Sequence, residues 1–447
     1  MPIRIDCRDK HARTILKQLF LAGLDAADPE SAMRRTVRIR NHRLRVGTRE
    51  YDLAGFSRIM CIGAGKASGA MAAALERQLG SRLEGGLVVV NDGLTGNTKR
   101  IRQLQARHPV PDRRSEQAAR RMVRLLESLT NRDLVLMVLS GGASSLLAAP
   151  AAGLTLKEKQ LTTRLLLRSG ATIQEINTVR KHLSGIKGGR LAGATTATVI
   201  TLILSDVPGD DPGTIGSGPM APDPSTFVDA KRVLDTFGIR NRIPLAVRRH
   251  VDRGAQGRIP ETLKPGEALF SRIQHHVIGN NHAVIQRMAK RAKVLGLRPL
   301  ILTTSLSGEA REIGKLFGDL AREMCVSGNP IKPPACLLAG GELTVTVTGE
   351  GLGGRAQEFA LAAAPALEGL SRVFVAGFGT DGTDGPTEAA GAIVDGKIIG
   401  RAMGKGMNHD AALRDNDSYR FFHVAGGHVV TGPTGTNVND VYMILAL

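Results

Sequence analysis

Three short apolar runs, rich in leucine, isoleucine and valine, each end in a loop of glycine, serine or acid and lead into a helical pattern. They are SRIMCI before GAGKAS, DLVLMVL before SGGASS, and ATVITLIL before SDVPGDD. A strand buried on both faces reads as an unbroken apolar run, and its alternation with helices implies a parallel, doubly wound sheet. That order also fixes where a ligand belongs, at the carboxyl ends of the strands. The intervening helices are legible. Met71, Leu75 and Leu79 recur at i, i+4 and i+8 after Lys66, and Val179, Leu183 and Ile186 share a face beyond Asn177.

Between Ile243 and Pro265 the pattern loosens around Pro244, Pro260 and Pro265. A domain change is expected at 244/245, giving residues 1–244 as a Rossmann-like α/β domain and 245–447 as a second α/β domain. The second contains HHVIGN, PLILTT, LTVTVT, RVFVAGF and VYMILAL. LTVTVT alternates cleanly, which predicts a strand with one solvated face and an antiparallel partner, hence a mixed sheet. A chain of 447 residues has room for two such domains.

The net charge of +19 favours anionic ligands. Residues 97–125 hold nine basic side chains against Asp112 and Glu116, but Met122, Val123, Leu125, Leu126 and Leu129 are interleaved as in a packed helix. A solvated helix face explains that run better than a nucleic-acid arm. With three Tyr, eleven Phe and no Trp, stacking platforms for single strands are also scarce. No nucleic-acid partner is expected. Cys7, Cys61, Cys325 and Cys336 show no zinc-type spacing, and no apolar run approaches the roughly 20 residues of a membrane span. The expectation is a reduced, cytoplasmic protein with no membrane partner, and the sequence leaves monomer and homodimer equally open.

The loops carry the chemistry. In GAGKAS, Gly63 and Gly65 bring backbone amides and a helix start, near Ser68, to face an anion, and Lys66 supplies a cation that a plain dinucleotide loop lacks. The loop is neither GxxxxGK[ST] nor GxGxxG. SGGASS repeats the logic: Gly141 and Gly142 allow close approach, and Ser140, Ser144 and Ser145 offer hydroxyls to a phosphate. NTVRKHLSGIKGGRLA sets Arg180, Ser184 and Lys187 on one helix side, with Asn177 and Lys181 beside them. Asp206 follows an apolar strand, where it can hold Mg²⁺ or take a hydroxyl proton. Arg355 opens a helix behind two glycines, a poor place for a cation unless an anion answers it. Glu342 lies in GGEL before it, Asp381 and Asp384 follow RVFVAGF as oxygen ligands for a hard cation, and Thr431 and Asn437 add hydroxyl and amide groups. Each of these loops could instead be a plain turn or a solvated charge.

Taken in order, GAGKAS, HPVPD, SGGASS, NTVRKHLSGIKGGRLA, LILSDVPGDDPGTIGSGP, GGELTVTVTGEGLGGRAQE, TDGTDG and TGPTGTNVND resemble the class II glycerate 2-kinases of the MOFRL, or tartrate-utilisation, family over nearly the whole chain. The resemblance implies ATP- and Mg²⁺-dependent phosphorylation of the 2-hydroxyl of D-glycerate to 2-phosphoglycerate, in a cleft between two α/β domains, with a MOFRL region at about 333–443. It carries the family's important lysine onto Lys66 and its important arginine onto Arg355. Asp206 is then the third catalytic candidate. Departures are SGGASS for SGGGSA, NDGLT after the third strand, and RAQ after the paired glycines. A nicotinamide-dependent hydroxypyruvate reductase is the rival reading. It lacks GxGxxG, and only Asp92 is offered as the ribose-binding acid.

Overall fold

A computed structural model describes residues 3–447, which fall into two compact units, Ala32–Ile278 and a second formed by the chain up to Ser31 together with Gly279–Leu447. In the first unit the strand Arg58–Ala64 is central. Gly85–Asn91 and Ile101–Ala106 add to one side of it. The chain then crosses back, and Asp133–Ser140 and Thr198–Leu204 add to the other side, all in parallel. Ile273–Gly279 lies outside Thr198–Leu204. Counted in chain order, the six strands stand as 3-2-1-4-5-6, the dinucleotide-fold arrangement. The order reverses between Arg58–Ala64 and Asp133–Ser140, so the switch point, where sheets of this kind bind ligands, lies at their carboxyl ends.

The unbroken apolar runs have the burial they predict: every residue of Asp133–Ser140 is buried. Ile62, Val89 and Met137 meet Ala118, Met122 and Leu126 of the helix Arg113–Glu127 in one core. Asp112 and Ser115 close a capping box at the start of that helix. Arg113, Arg114, Arg120, Arg121 and Arg124 are exposed, so the helical part of the basic stretch is a solvated face, while Lys99, Arg100, Arg102 and Arg107 lie on or beside the strand Ile101–Ala106.

The second unit is built on a mixed seven-stranded sheet in the order Arg4–Ile5, His428–Val430, Gly391–Asp395, Val373–Gly379, Asp440–Ala446, Ala335–Gly341, Arg298–Leu306. Only the last pair is parallel. The helix Arg355–Leu367 is buried along most of its length against this sheet, with Phe359 between Phe317 and Tyr442.

Two expectations are displaced. The division falls at 278/279 rather than 244/245, because HHVIGN supplies the outer strand of the first sheet. Residues before Ser31 belong with the second unit: Arg4–Ile5 pairs with His428–Val430, and Phe20 packs on Phe378 with ring centroids 4.3 Å apart. The glycine at position 23 lets the helix Lys10–Ala27 approach the helix Asn281–Val294, since a Cβ there would lie 2.9 Å from Met288 Sδ. LTVTVT is extended but joins no ladder beyond one bridge between Thr344 and Glu309. Its alternate amides are taken elsewhere: Thr344 N–H by the Gly308 carbonyl at 2.9 Å, Thr346 by Glu309 Oε1 at 2.9 Å, and Thr348 by Asn416 Oδ1 at 2.8 Å. Among the described residues no helix is long and apolar enough to cross a membrane.

Candidate active site

GAGKAS and SGGASS leave the two strands that flank the switch point, and they interlock. Lys66 N–H donates to the Gly141 carbonyl at 2.9 Å and Ala67 N–H to Ser140 Oγ at 3.0 Å. Ser68 Oγ donates back to the Val138 carbonyl at 3.3 Å. Such contacts require missing side chains. A Cβ on Gly63 would lie 2.2 Å from the Val138 oxygen, and one on Gly65, at φ +140°, 2.1 Å from Ser140 Oγ. Gly141 does the same for Asp206: its Cβ would stand 2.1 Å from Asp206 Oδ2, so the half-buried carboxylate lies against bare backbone of the serine loop. Gly142 is left-handed at φ +85°, flanked by the side chains of Lys66 and His108. Burial, reinforced by the charge of Lys66, pushes His108 down to about 4 and keeps its imidazole neutral.

A hydrogen-bonded chain runs inward from the serine loop. Lys187 Nζ donates to Ser144 Oγ at 3.0 Å and to the Gly216 carbonyl at 2.9 Å. Ser144 meets Ser217 at 2.8 Å, and Ser217 donates to Asn177 Oδ1 at 3.0 Å. Ser145 Oγ donates to the Pro109 carbonyl at 2.6 Å. Arg180 lines the same wall as Ser144, Ser145 and Lys187. Lys181 does not. It is buried against Asp223 at 3.2 Å, an internal ion pair rather than a free phosphate ligand.

In the second unit Arg355 lines a cavity of about 680 Å³ together with Glu342, Asp381 and Glu358. It is held from two sides: Nη1 donates to Glu342 Oε1 at 2.6 Å, and Nε to Asp440 Oδ2 at 2.5 Å. Asp440 also accepts from Tyr442 at 2.8 Å. Burial raises Asp440 to about 7 although Arg355 pulls it down, while the carboxylates hold the guanidinium firmly charged. The anion expected to answer Arg355 is therefore partly the protein's own.

Asp384, expected as a metal ligand, caps a helix instead. Its oxygens accept from the Ala356 and Gln357 amides at 3.0 and 2.8 Å, it is buried, and that burial raises its pKa. Asp381 remains half-buried on the cavity wall, accepting from Thr383 at 3.2 Å. Thr431 and Asn437 bond within their own loop, to the Gly432 carbonyl at 2.8 Å and from the Asn439 amide at 3.0 Å. Among the described residues no three His, Cys, Asp or Glu side chains gather as a metal cage. Magnesium is ordinarily held by one or two carboxylates plus substrate phosphates, so Asp206 or Asp381 fits that demand and Asp384 does not.

Reading the sequence missed three participants. His108 stands in HPVPD, whose two prolines were a visible signal, and Ser217 in the glycine-rich loop after Asp206. Asp440 closes TGPTGTNVND, but nothing local ties it to Arg355.

Comparison with known proteins places these loops. The family model described as a domain of unknown function, DUF4147, matches residues 15–252, and the MOFRL family model matches residues 335–440. A glycerate 2-kinase of Pyrococcus horikoshii is 40% identical over 434 residues, covering 97% of each chain. The crystal structure of a Thermotoga maritima glycerate kinase superposes with a TM-score of 0.87 at 39% identity, covering 98% of this chain and 100% of its own. An Agrobacterium vitis relative, proposed by its name to be a hydroxypyruvate reductase, is 40% identical over 99% of this chain and 96% of its own.

Proposed function

The chain belongs to the MOFRL family of glycerate 2-kinases, and from that premise we propose that it phosphorylates the 2-hydroxyl of D-glycerate with ATP, using the interlocked GAGKAS and SGGASS loops and Arg355. Phosphoryl transfer passes through a loose transition state and asks a protein chiefly for position and charge. One observation carries the reading: at the switch point Lys66 is presented, half-buried, from a loop whose own amide and that of Ala67 are already satisfied by the serine loop. The amides expected to face an anion are thus spent within the protein, and the loop so fixed positions the Lys66 ammonium for a ligand.

In this reading Lys66 neutralises the migrating phosphoryl group, and the serine loop, whose Ser144 and Ser145 hydroxyls are bonded to Ser217 and to the Pro109 carbonyl, holds that lysine's loop in place. Neutral His108 beside Lys66 offers a hydrogen bond without adding a competing charge. Arg355, pinned by Asp440 and Glu342, presents its remaining edge to the cavity. Asp206 is the acid we assign to Mg²⁺ or to the hydroxyl proton, with Asp381 as a second metal candidate. Magnesium, when bound with ATP, supplies charge neutralisation on the phosphates. A nicotinamide reductase is disfavoured by the Lys66 loop, which lacks the third glycine that a dinucleotide helix start uses. Four unpaired cysteines support a reducing, cytoplasmic setting.

The test is purified protein with Mg-ATP and D-glycerate, coupled to enolase without phosphoglycerate mutase. Phosphoenolpyruvate formation is the expected result, because 3-phosphoglycerate cannot enter enolase. NAD(P)H consumption on hydroxypyruvate with no ADP release would overturn the reading.

A further inference from the structure

Next to the serine loop the first unit encloses a cavity of about 170 Å³ whose charged lining is entirely cationic: Lys159, Arg164, Arg180 and Lys187. Lys159 and Lys187 are buried, at 5% and 2% exposure. Taking an ammonium out of water costs several kcal/mol unless an opposite charge answers it, and here none does. Lys159 Nζ donates only to the carbonyls of Arg180 and Leu183, at 3.3 and 3.2 Å, and Lys187 to Ser144 Oγ and the Gly216 carbonyl. The neighbouring carboxylates are committed elsewhere: Asp223 to Lys181 at 3.2 Å, Glu261 to His182 at 3.0 Å, and Glu158 to the cap of its own helix at Thr155. The charges that bear on Lys159 are those of Arg180 and Arg190, and those on Lys187 are Lys159 and Arg180, all of like sign.

Two buried lysines with no opposite charge in one wall either hold a proton at a standing cost or give it up, and a multiply charged ligand is what favours both charged forms. The volume is below the roughly 300–1,000 Å³ of sites that bury a drug-sized ligand, so a whole nucleotide does not fit inside. We propose that this cavity seats a compact phosphate-bearing anion, with Lys159 and Arg164 joining Arg180 and Lys187 as its ligands. This rests on the kinase reading and deepens it: the anion is the phosphorylated three-carbon acid or the phosphate tail of the nucleotide.

Occupancy has a proton signature. Burial, with the nearby arginines, holds Lys159 down to about 7 and Lys187 well below its ordinary value. At pH 8 Lys159 is therefore mostly neutral, and an anion that restores its charge draws in close to one proton, about 0.9 from this group alone.

The experiment is calorimetric titration of the full chain at pH 8 in two buffers of different ionisation enthalpy, with 2-phosphoglycerate, tripolyphosphate and D-glycerate as probes. A phosphate-bearing probe should bind with proton uptake. Lys159→Met should lower that uptake by close to one proton and weaken binding at least tenfold. Arg164→Gln, on the exposed rim, should weaken binding several-fold with uptake intact, and it tests the site if Lys159→Met fails to fold. Preference for 2-phosphoglycerate identifies the product acid as the occupant, and preference for tripolyphosphate identifies the nucleotide tail; either supports the proposal. No phosphate binding, binding without proton uptake, affinity untouched by both variants, or D-glycerate binding as tightly as the phosphates would overturn it. The enolase-coupled assay on the unaltered chain judges the kinase reading separately, since a chain inactive there but binding phosphate with proton uptake keeps the pocket and loses the reaction.

Discussion

Asp440→Asn isolates the support of Arg355 from Arg355 itself. In the native site the Asp440 carboxylate accepts from Arg355 Nε at 2.5 Å, from Nη2 at 3.3 Å and from the Tyr442 hydroxyl at 2.8 Å. Asparagine keeps one acceptor oxygen, and its amide nitrogen, a donor, must face another donor. One charge-assisted hydrogen bond is lost, worth about 1.5–3 kcal/mol. Relief of the buried carboxylate offsets part of this in the folded state, so stability should move by less than about 2 kcal/mol. Catalysis has no such offset, because Arg355 is left tethered through Glu342, whose side chain is 47% exposed. If the guanidinium acts at the transition state, turnover should fall roughly 10- to 100-fold in the enolase-coupled assay. The pH profile is the readout that a purely structural role would not move. Burial lifts Asp440 from 3.8 to about 7, so wild-type turnover should decline as pH falls through about 7 and Arg355 loses an ionised partner. The variant should lack that limb. The stability sign is opposite: a carboxyl raised above its unfolded value stabilises the fold below 3.8, and that contribution drains as pH rises through about 7. Turnover within twofold of wild type, with the acid limb retained, would refute the reasoning.

Lys66→Ala should cut turnover by about 10²- to 10³-fold with little change in Tm, since the backbone bond from residue 66 to Gly141 survives. Its imidazole neighbour gives a second readout: an NMR titration of His108 should move upward from about 4, because Lys66 helps to hold it down. Wild-type turnover would remove Lys66 from the chemistry. Asp384→Ala should lower stability by about 1–3 kcal/mol, by stripping two helix-start amides of their acceptor. The Mg²⁺ concentration giving half-maximal rate should not shift. An unchanged Tm with a raised Mg²⁺ requirement would return Asp384 to the metal.

How far the sequence was legible follows the range of the interaction. The first sheet was readable because strand, loop and helix succeed each other within about 20 residues, and unbroken apolar runs such as DLVLMVL have one reading. GAGKAS and SGGASS were identifiable for the same reason, and their interlock follows once the strand order is known. LTVTVT misled because alternation reports which side chains face water, not what bonds the backbone; Glu309 and Asn416 take the amides a neighbouring strand would have taken. Asp384 and Asp381 look alike in GTDGTDGP, yet one caps a helix 28 residues before it in the chain and the other faces a cavity.

The cations show where pattern reading ends. Arg180, Lys181 and Lys187 lie within one segment and read as one basic face, but the fold separates their roles. Asp223, 42 residues beyond Lys181, claims that ammonium, and no carboxylate claims Lys187. Lys159 was invisible altogether, since a lysine in KEKQLTTRLL reads as solvated until tertiary packing buries it. Its informative property is a missing partner, and a missing partner is a statement about every element packed against it. In a chain of net charge +19 most lysines mean only solubility. The ones that matter for an anionic substrate are those the fold has buried and left unanswered, and in the first unit they converge beside the serine loop.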